Sequence, residues 1–182
     1  MDAGLERRAA LIKLALFDVD GVLTNGRILM HADGKESKQF DIRDGTAIVW
    51  ALRLGVTVGF LSARSSATTV QRAAQLGVTL VHQGVSSKRE TYDRIVRERQ
   101  LATEQVAYMG DDVLDLPVLA CAGLAAAPAD AAPDVLERVH WVSRARGGEG
   151  AARELIELIL KAQRKWDGLV AGYLAECDRG GT

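Results

Sequence analysis

Two short apolar segments of this chain run directly into carboxylates, and this feature restricts the possible folds more than any other. The segment Leu14–Phe17 precedes Asp18-Val19-Asp20-Gly21, and the segment Val106–Met109 precedes Gly110-Asp111-Asp112. Apolar runs without alternation are typical of strands covered on both faces, as in a parallel sheet. The carboxyl ends of neighbouring parallel strands open onto one crevice, where ligands bind. The sequence therefore predicts a parallel sheet with several carboxylates at one edge.

Strand-like and helical patterns alternate along the rest of the chain. Further strand-like runs lie at 56–61, 79–81, 124–126 and 140–142, and helical patterns lie at 44–54, 66–76, 88–99, 112–121 and 149–162. Such alternation is typical of βαβ units. We therefore predict an α/β fold of three layers, in which helices cover both faces of a doubly wound, Rossmann-like parallel sheet.

One segment departs from this alternation. The strand-like runs 27–31 and 36–40 flank Asp33-Gly34, and Asp-Gly between two such runs is a strong hairpin signal. We expect a small β-hairpin flap at about residues 25–41, directly after the first carboxylate motif. The chain, residues 1–182, is predicted to form one domain with a C-terminal tail at about residues 161–182.

Composition and charge narrow the class of protein. The formal net charge is −1, which gives no broad basic surface for nucleic acid. No apolar run approaches the length of a membrane span or of a signal peptide. Cys121 and Cys177 lack the spacing of a zinc or redox motif, which favours a reducing compartment. We expect a cytoplasmic protein that binds neither nucleic acid nor membrane.

Several carboxylates would repel one another at the predicted sheet edge, namely those of Asp18, Asp20, Asp111 and Asp115. A divalent cation relieves this repulsion, and clustered carboxylate and carbonyl oxygens favour Mg²⁺. The sequence thus predicts Mg²⁺ as a cofactor. Taken singly, the motifs have simpler explanations, because Asp-x-Asp-Gly is often a turn and Asp112 suits a helix cap equally well.

Four motifs follow one another along the chain: Asp18-x-Asp20-Gly21, Ser62, Lys88 and Gly110-Asp111-Asp112-x-x-Asp115. Their order, mostly at predicted strand ends, resembles the haloacid dehalogenase superfamily of phosphohydrolases over nearly the whole chain. The segments 17–24, 40–45, 110–112 and 146–154 resemble, more narrowly, the capless branch that acts on 3-deoxy-D-manno-octulosonate 8-phosphate. The resemblance implies a phosphatase of lipopolysaccharide precursor synthesis.

The same resemblance implies a role for each catalytic residue. Asp18 attacks phosphorus and forms an aspartyl-phosphate, whereas Asp20 protonates the leaving oxygen and then activates water. Ser62 donates a hydrogen bond to a phosphoryl oxygen, and Lys88 balances the charges of the nucleophile and the phosphoryl group. Mg²⁺ is held by the carboxylates of Asp18 and Asp111 and by the backbone carbonyl of Asp20.

Substrate contacts are also implied by the resemblance. The set consists of Asp20, Asp41, Ile42, Arg43, Asp44, Gly45, Arg64, Arg72 and Lys88. Guanidinium groups suit a substrate that carries both carboxylate and phosphate. Arg64 and Arg72 are eight positions apart, about two helical turns, and can share one helix face. The alternative for Arg72 is an ordinary surface position on a helix.

Three alternative functions remain in view. Ser62-Ala63-Arg64 stands where the family usually has Thr-Gly-Arg, and Val49 stands where relatives carry arginine at the substrate site. These departures keep open a nine-carbon, sialic-acid-type 9-phosphate as the substrate. A phospho-acceptor signalling domain also combines carboxylates, lysine and Mg²⁺, but its lysine comes last, whereas Lys88 precedes Asp111. The intact catalytic set disfavours a relative that only binds partners.

The spacing of the motifs leaves no room for a cap domain. Capped relatives insert one after the first motif or between the second and third, whereas here only the hairpin separates Asp20 from Asp44. One helix and one strand separate Ser62 from Lys88. An open crevice favours a homo-oligomer in which a neighbour completes the site, because excluding water aids such chemistry. The resemblance implies a homotetramer, and the tail at 161–177 either docks on a neighbour or packs on its own domain.

Overall fold

The computed structural model describes residues 2–179, with side chains to residue 175, and its centre is a six-stranded parallel sheet. The strands are β1 (Leu14–Phe17), β4 (Thr57–Leu61), β5 (Leu80–His82), β6 (Val106–Met109), β7 (Leu124–Ala127) and β8 (Trp141–Val142), in the order β5-β4-β1-β6-β7-β8. Phe17 of β1 aligns with Phe60 on one side and with Met109 on the other. The predicted doubly wound α/β fold is confirmed, and it has no cap domain among the described residues.

Eight α-helices flank this sheet within the described part of the chain. They are α1 (Ala3–Leu11), α2 (Ile42–Arg53), α3 (Ala67–Leu76), α4 (Lys88–Glu98), α5 (Leu116–Leu119), α6 (Pro133–Leu136), α7 (Ala151–Ala162) and α8 (Trp166–Arg179). The helix predicted over 112–121 is instead a 3₁₀ turn at Val113–Asp115 followed by the short α5. Pro117 favours this break because it supplies no backbone N–H for a continuous helix and suits a first turn.

The side chains of β1 alternate between two apolar layers. Ala15 and Phe17 belong to a core cluster that includes residues of α1, α2 and α7. Leu14 and Leu16 belong to a second cluster, which includes Tyr92 and other residues of α4 and α5. All four side chains of β1 are buried, and burial of each leucine contributes about 1.5–3 kcal/mol. The strand that carries the first motif is therefore held from both faces.

A glycine loop before α7 supports the turn after β1. A Cβ at Gly147 would lie 1.7 Å from the carbonyl oxygen of Gly21, so a side chain does not fit there. Gly148 adopts a φ of +66° and donates its N–H to the carbonyl of Val22 at 2.9 Å. The glycine-rich segment noted in the sequence thus allows close backbone packing next to the first motif.

The predicted flap is a hairpin of two short strands, β2 (Leu29–Met30) and β3 (Glu36–Ser37). Gly34 turns the chain with a φ of +81° and donates its N–H to the carbonyl of His31. Each strand has two residues, which is shorter than the runs 27–31 and 36–40 predicted. The limits of flap and tail, and the assignment of the chain to one domain, stay predictions.

Helix α8 packs on the same chain through aromatic contacts. Trp50 of α2 meets Trp166 edge to face, with ring centroids 5.6 Å apart, and its Nε1–H donates to the hydroxyl of Tyr173 at 2.8 Å. This arrangement favours a tail that packs on its own domain; the side chains beyond residue 175 lie outside those described. None of the described helices combines the length and the apolar character needed to cross a bilayer.

Candidate active site

Three neighbouring strand ends bring the predicted catalytic residues to one cleft. Asp18 directly follows β1, Ser62 directly follows β4, and Asp111 follows β6 after one glycine. Because β1 lies between β4 and β6, these residues meet at one edge of the sheet. They line a cleft of about 190 Å³, together with Asp20, Ala63, Arg64, Lys88, Asp112, Leu114 and Asp115.

Gly21 permits the close approach of the two carboxylate motifs. Its φ is +94°, a left-handed conformation that favours glycine. A Cβ at this position would lie 2.0 Å from Oδ2 of Asp111. Any side chain at position 21 would therefore displace the Asp111 carboxylate or the turn that carries Asp20.

Lys88 is buried between two carboxylates. Ser87 caps α4 by accepting the N–H of Glu90, which places Lys88 at the first position of the helix. Its Nζ lies 3.0 Å from Oδ1 of Asp18 and 2.6 Å from Oδ1 of Asp115. Burial opposes the charge of this ammonium, but the two carboxylates outweigh it and raise the pKa of Lys88. The side chain is thus a cation fixed beside Asp18 rather than a solvated surface lysine.

The two carboxylate oxygens of Asp115 accept hydrogen bonds from four donors. Oδ1 accepts the hydroxyl of Tyr108 in addition to Lys88, and Oδ2 accepts the backbone N–H groups of Asp111 at 3.1 Å and Asp112 at 3.3 Å. The residue is fully buried, so it orients Lys88 and the Asp111 loop. Sequence reasoning did not single out Tyr108, although a tyrosine within a buried strand signals that its hydroxyl needs a partner.

Burial and mutual repulsion perturb the two strand-end carboxylates. The pKa of Asp18 is raised to about 6, first by burial and then by the charge of Asp115, with Lys88 opposing. The pKa of Asp111 is raised to about 7 by burial and by the charges of Asp18 and Asp115. One lysine therefore does not offset the negative charge of this cluster, and the site favours an additional cation.

The carboxylates of this cluster fit a divalent cation. Oxygens of Asp18, Asp111 and Asp115 lie within 4.8 Å of one another. Oδ1 of Asp111 is buried and has no hydrogen-bond partner among the described residues, which is costly for an anionic oxygen unless a cation neutralises it. Because Asp115 is occupied by donors, Asp18 and Asp111 are the carboxylates available to Mg²⁺. The carbonyl of Asp20 stays the predicted third ligand.

Asp20 is held by cations from two different loops. Nζ of Lys38, which follows β3 of the flap, lies 2.7 Å from Oδ1 and 2.9 Å from Oδ2 of Asp20. Nε of Arg64 lies 3.5 Å from the same carboxylate, and the guanidinium of Arg64 also pairs with Glu36 at 3.0 Å. Lys38 was missed in the sequence, because nothing in the local pattern of the flap indicates a partner 18 positions away.

The remaining predicted substrate residues form a second group around the start of α2. Asp41, Asp44, Gly45 and Arg72 line a small niche outside the cleft. Arg72 donates to the carbonyl of Asp41 at 3.2 Å and lies over the ring of Phe40. This arginine is therefore not an ordinary surface position, although its predicted contact with substrate stays a prediction.

Two details of the substrate prediction need correction or comment. Arg64 precedes α3, which begins at Ala67, so the inference that Arg64 and Arg72 share a helix face was wrong. Ile42 is 80% exposed. Arg43 pairs with Asp41 at 2.8 Å, and its side chain is 62% exposed. These two side chains face solvent rather than the cleft.

Asp112 and Asp44 both serve local structure. Asp112 accepts the N–H of Val113 at 2.6 Å and begins the 3₁₀ turn, as the capping alternative predicted. Asp44 is buried and accepts the N–H groups of Gly150 at 3.3 Å and Arg153 at 2.8 Å, at the start of α7. Asp44 therefore connects α2 to α7 through its carboxylate.

Comparison with known proteins gives consistent matches over most of the chain. The sequence model of the haloacid dehalogenase-like hydrolase family matches residues 60–155. The 3-deoxy-D-manno-octulosonate 8-phosphate phosphatase of Yersinia pestis is 43% identical over 162 residues, which cover 89% of this chain and 87% of that protein. The enzyme of the same name from Escherichia coli is 40% identical over 167 residues, 92% of this chain and 89% of that protein.

A solved structure shares the fold closely. The 3-deoxy-D-manno-octulosonate 8-phosphate phosphatase of Moraxella catarrhalis, in complex with a magnesium ion, a phosphate ion and the sugar acid, superposes with a TM-score of 0.93. The match covers 95% of this chain and 99% of that chain at 31% identity. This level of identity and coverage extends the similarity beyond the architecture of the sheet.

Proposed function

The chain belongs to the haloacid dehalogenase-like hydrolases, and from that premise we propose that it is a Mg²⁺-dependent phosphatase of 3-deoxy-D-manno-octulosonate 8-phosphate. The observation that carries the chemistry is the buried pair of Asp18 and Lys88, with Asp20 and Asp111 in the same cleft. The names of the relatives support the substrate. The reaction belongs to lipopolysaccharide precursor synthesis, and the cytoplasmic location stays a prediction.

In the first half of the reaction, a carboxylate oxygen of Asp18 attacks phosphorus and forms an aspartyl-phosphate. The ester P–O bond breaks, and the proton of Asp20 passes to the leaving alkoxide oxygen. Lys88 balances the charge of Asp18, so that an anionic nucleophile can approach an anionic phosphoryl group. Ser62 is buried at the end of β4, and its hydroxyl is the proposed donor to a phosphoryl oxygen.

In the second half, water attacks phosphorus of the aspartyl-phosphate and the P–O bond to Asp18 breaks. Asp20, now a carboxylate, takes the proton from water, so both groups return to their starting states. When bound, Mg²⁺ supplies electrostatic stabilisation of the phosphoryl oxygens. Its proposed ligands are the carboxylates of Asp18 and Asp111 and the carbonyl of Asp20.

Recognition of the sugar acid is proposed for residues 41–45 with Arg64, Arg72, Asp20 and Lys88. Arg64 supports this proposal best, because its half-exposed guanidinium lies beside the carboxylate of Asp20 within the cleft. A guanidinium at that place suits a carboxylate or hydroxyls of the leaving group. Asp41, Asp44, Gly45 and Arg72 line the second niche, and Ile42 and Arg43 face solvent. A contribution of these residues therefore requires a long substrate or a neighbouring subunit.

We expect rapid phosphate release from 3-deoxy-D-manno-octulosonate 8-phosphate in the presence of Mg²⁺ and loss of turnover after chelation. Asp18→Asn should lower kcat by at least about 10⁴-fold, because the amide oxygen is not a competent nucleophile. Phosphate release and circular dichroism measure activity and folding of the same samples. Asp93→Asn, on the exposed face of α4, is the matched control and should retain full activity.

Three outcomes would contradict this proposal. A strong preference for a nine-carbon sugar acid 9-phosphate would change the substrate while leaving the chemistry intact. Stoichiometric labelling without multiple turnovers would indicate a phospho-acceptor domain instead. Near wild-type activity of Asp18→Asn would remove Asp18 as the nucleophile.

A homo-oligomer, a tetramer by resemblance, is the proposed assembly. The cleft has no cap, and exposed apolar side chains lie on the flap and on the loop after β6, namely Leu29 (62%), Met30 (65%) and Leu114 (68%). Exposed apolar side chains of this kind suit burial against another subunit. Light scattering coupled to gel filtration distinguishes a tetramer from a monomer.

A further inference from the structure

The carboxylate of Asp20 is paired with a buried lysine that belongs to the flap. The side chain of Lys38 is 1% exposed, although the hairpin just before it carries exposed residues. Burial of an ammonium is costly unless a carboxylate compensates it. The described contacts of the Lys38 ammonium are with both oxygens of Asp20, at 2.7 and 2.9 Å.

Arg64 is a weaker partner of the same carboxylate. Its side chain is 51% exposed, its Nε is 3.5 Å from Asp20, and it also pairs with Glu36 at 3.0 Å. Because it is half exposed, this guanidinium can turn towards a bound substrate by giving up one of these contacts. The buried ammonium of Lys38 has no comparable freedom, so it remains beside Asp20 when Arg64 is engaged.

We propose that Lys38 is a positioning residue that orients Asp20 for proton transfer. Proton transfer then depends on the flap keeping Lys38 in contact with Asp20. This inference rests on the proposed phosphatase function. When Asp20 gives its proton to the leaving oxygen it becomes a carboxylate, which is the state that the ion pair with Lys38 represents. The Lys38 ammonium stabilises that negative charge as it develops. The same contact then holds the carboxylate toward the water that cleaves the aspartyl-phosphate.

The role of Lys38 is tested by the dependence of the rate on the leaving group. An alkyl phosphate such as the sugar acid ester needs a proton on its leaving oxygen, whereas p-nitrophenyl phosphate does not. The ratio kcat/KM includes the steps up to departure of the leaving group. Lys38→Met should lower kcat/KM about 10- to 100-fold for the alkyl ester, and much less for p-nitrophenyl phosphate.

The flap offers a matched control. Lys35→Met removes a lysine of the same hairpin that is 81% exposed and paired only with Asp33 in the described contacts, and it should leave both rates unchanged. The double variant Lys38→Met/Asp20→Asn should be no slower than Asp20→Asn alone, because Lys38 acts through Asp20. If Lys38→Met does not fold, Lys38→Gln carries the same comparison.

The results separate this inference from the function on which it rests. If the wild-type protein hydrolyses neither ester, both fail. If the wild-type protein hydrolyses p-nitrophenyl phosphate and alkyl phosphates other than the sugar acid ester, the substrate proposal fails. One of those alkyl phosphates then takes the place of the sugar acid ester in the comparison with p-nitrophenyl phosphate. If Lys38→Met slows both esters equally, or neither, the positioning role is overturned while the phosphatase function stands.

Discussion

Asp44 belongs to α2, yet its two oxygens accept the N–H groups of Gly150, which directly precedes α7, and of Arg153 in the first turn of α7. Burial, only partly opposed by these donors, raises the pKa of its carboxyl from 3.8 to about 6. A group whose pKa is higher in the folded state contributes its full stabilisation at pH values below its pKa in the unfolded state. This contribution is lost as the pH rises through its pKa in the folded state. Asp44 thus makes stability fall between about pH 4 and pH 6.

Asp44→Asn should remove this dependence. The difference in unfolding free energy, variant minus wild type, should rise by up to about 3 kcal/mol from pH 4 to pH 7, since each pKa unit corresponds to about 1.4 kcal/mol. At low pH the variant is the less stable protein, because its amide NH₂ faces one of the two backbone N–H donors, whereas the hydroxyl oxygen of the protonated carboxyl can still accept there. Urea titrations at several pH values measure the difference. Parallel curves for the two proteins would contradict the assignment.

At this scale the sequence predicted residues whose role follows from local motifs. Asp18 directly follows β1, Asp20 comes two positions later, and Asp111 follows β6 after one glycine, so the direction of the chain places them. Lys38 and Tyr108 were not predicted, because their importance depends on which carboxylate folding brings to them. Partners selected by tertiary packing have no local signature.

Among the elements, the loop that joins β8 to α7 has the least room for change. A Cβ at Gly147 would meet the carbonyl of Gly21 at 1.7 Å, next to Asp20 and against the turn after β1. Gly168, in contrast, lies on an exposed part of α8 with no atom within 4 Å of a Cβ. Gly147 and Gly168 therefore form a matched pair for substitution by alanine, one without space for a Cβ and one with space.

Gly147→Ala should lower the unfolding free energy by about 1–3 kcal/mol, because overpacking displaces backbone. It should also lower kcat/KM, since the displaced turn carries Asp20. Gly168→Ala should be neutral or up to about 1 kcal/mol stabilising, as expected inside a helix. Thermal melts and phosphate release check both variants. Equal behaviour of the two would show that the glycine loop does not support the site.

Element by element, the sequence located strands and long helices better than short pieces. β1 and β6 were predicted with their observed bounds because uninterrupted apolar runs mark buried strands. Helices α1 and α6 were not predicted. Helix α6 has four residues, too few for a helical period to emerge, and α1 presents one fully buried residue, Ala9. Helices such as α1 and α6 form because they pack on neighbouring elements of the fold, and a local sequence pattern does not reveal this packing.

For the molecule as a whole, the acidic cleft is an electrostatic cost that a cation relieves. The pKa values of Asp18 and Asp111 are raised to about 6 and about 7, with burial as the first cause. In the metal-free protein both groups therefore reduce stability as pH rises from about 4 through 7. Mg²⁺ binds the ionised carboxylates and so competes with their protons.

Addition of Mg²⁺ should raise Tm more at pH 8 than at pH 5, because fewer protons must be displaced. Thermal melts of the chelated protein with graded Mg²⁺ measure this shift. Asp111→Asn, which removes one proposed ligand, should abolish most of it. An equal or larger shift at pH 5 would argue against ionised carboxylates as the ligands.

The position of β1 has a consequence for how activity is lost. This strand lies in the interior of the sheet, is bonded on both sides to β4 and β6, and is buried along its whole length. Amide hydrogens in such a strand exchange only through global opening, whereas flaps and termini open locally. Asp18, the proposed nucleophile, thus directly follows the strand that we expect to open last. If Lys38 positions Asp20 as proposed, local opening of the flap lowers activity, and this loss reverses without exposing the core.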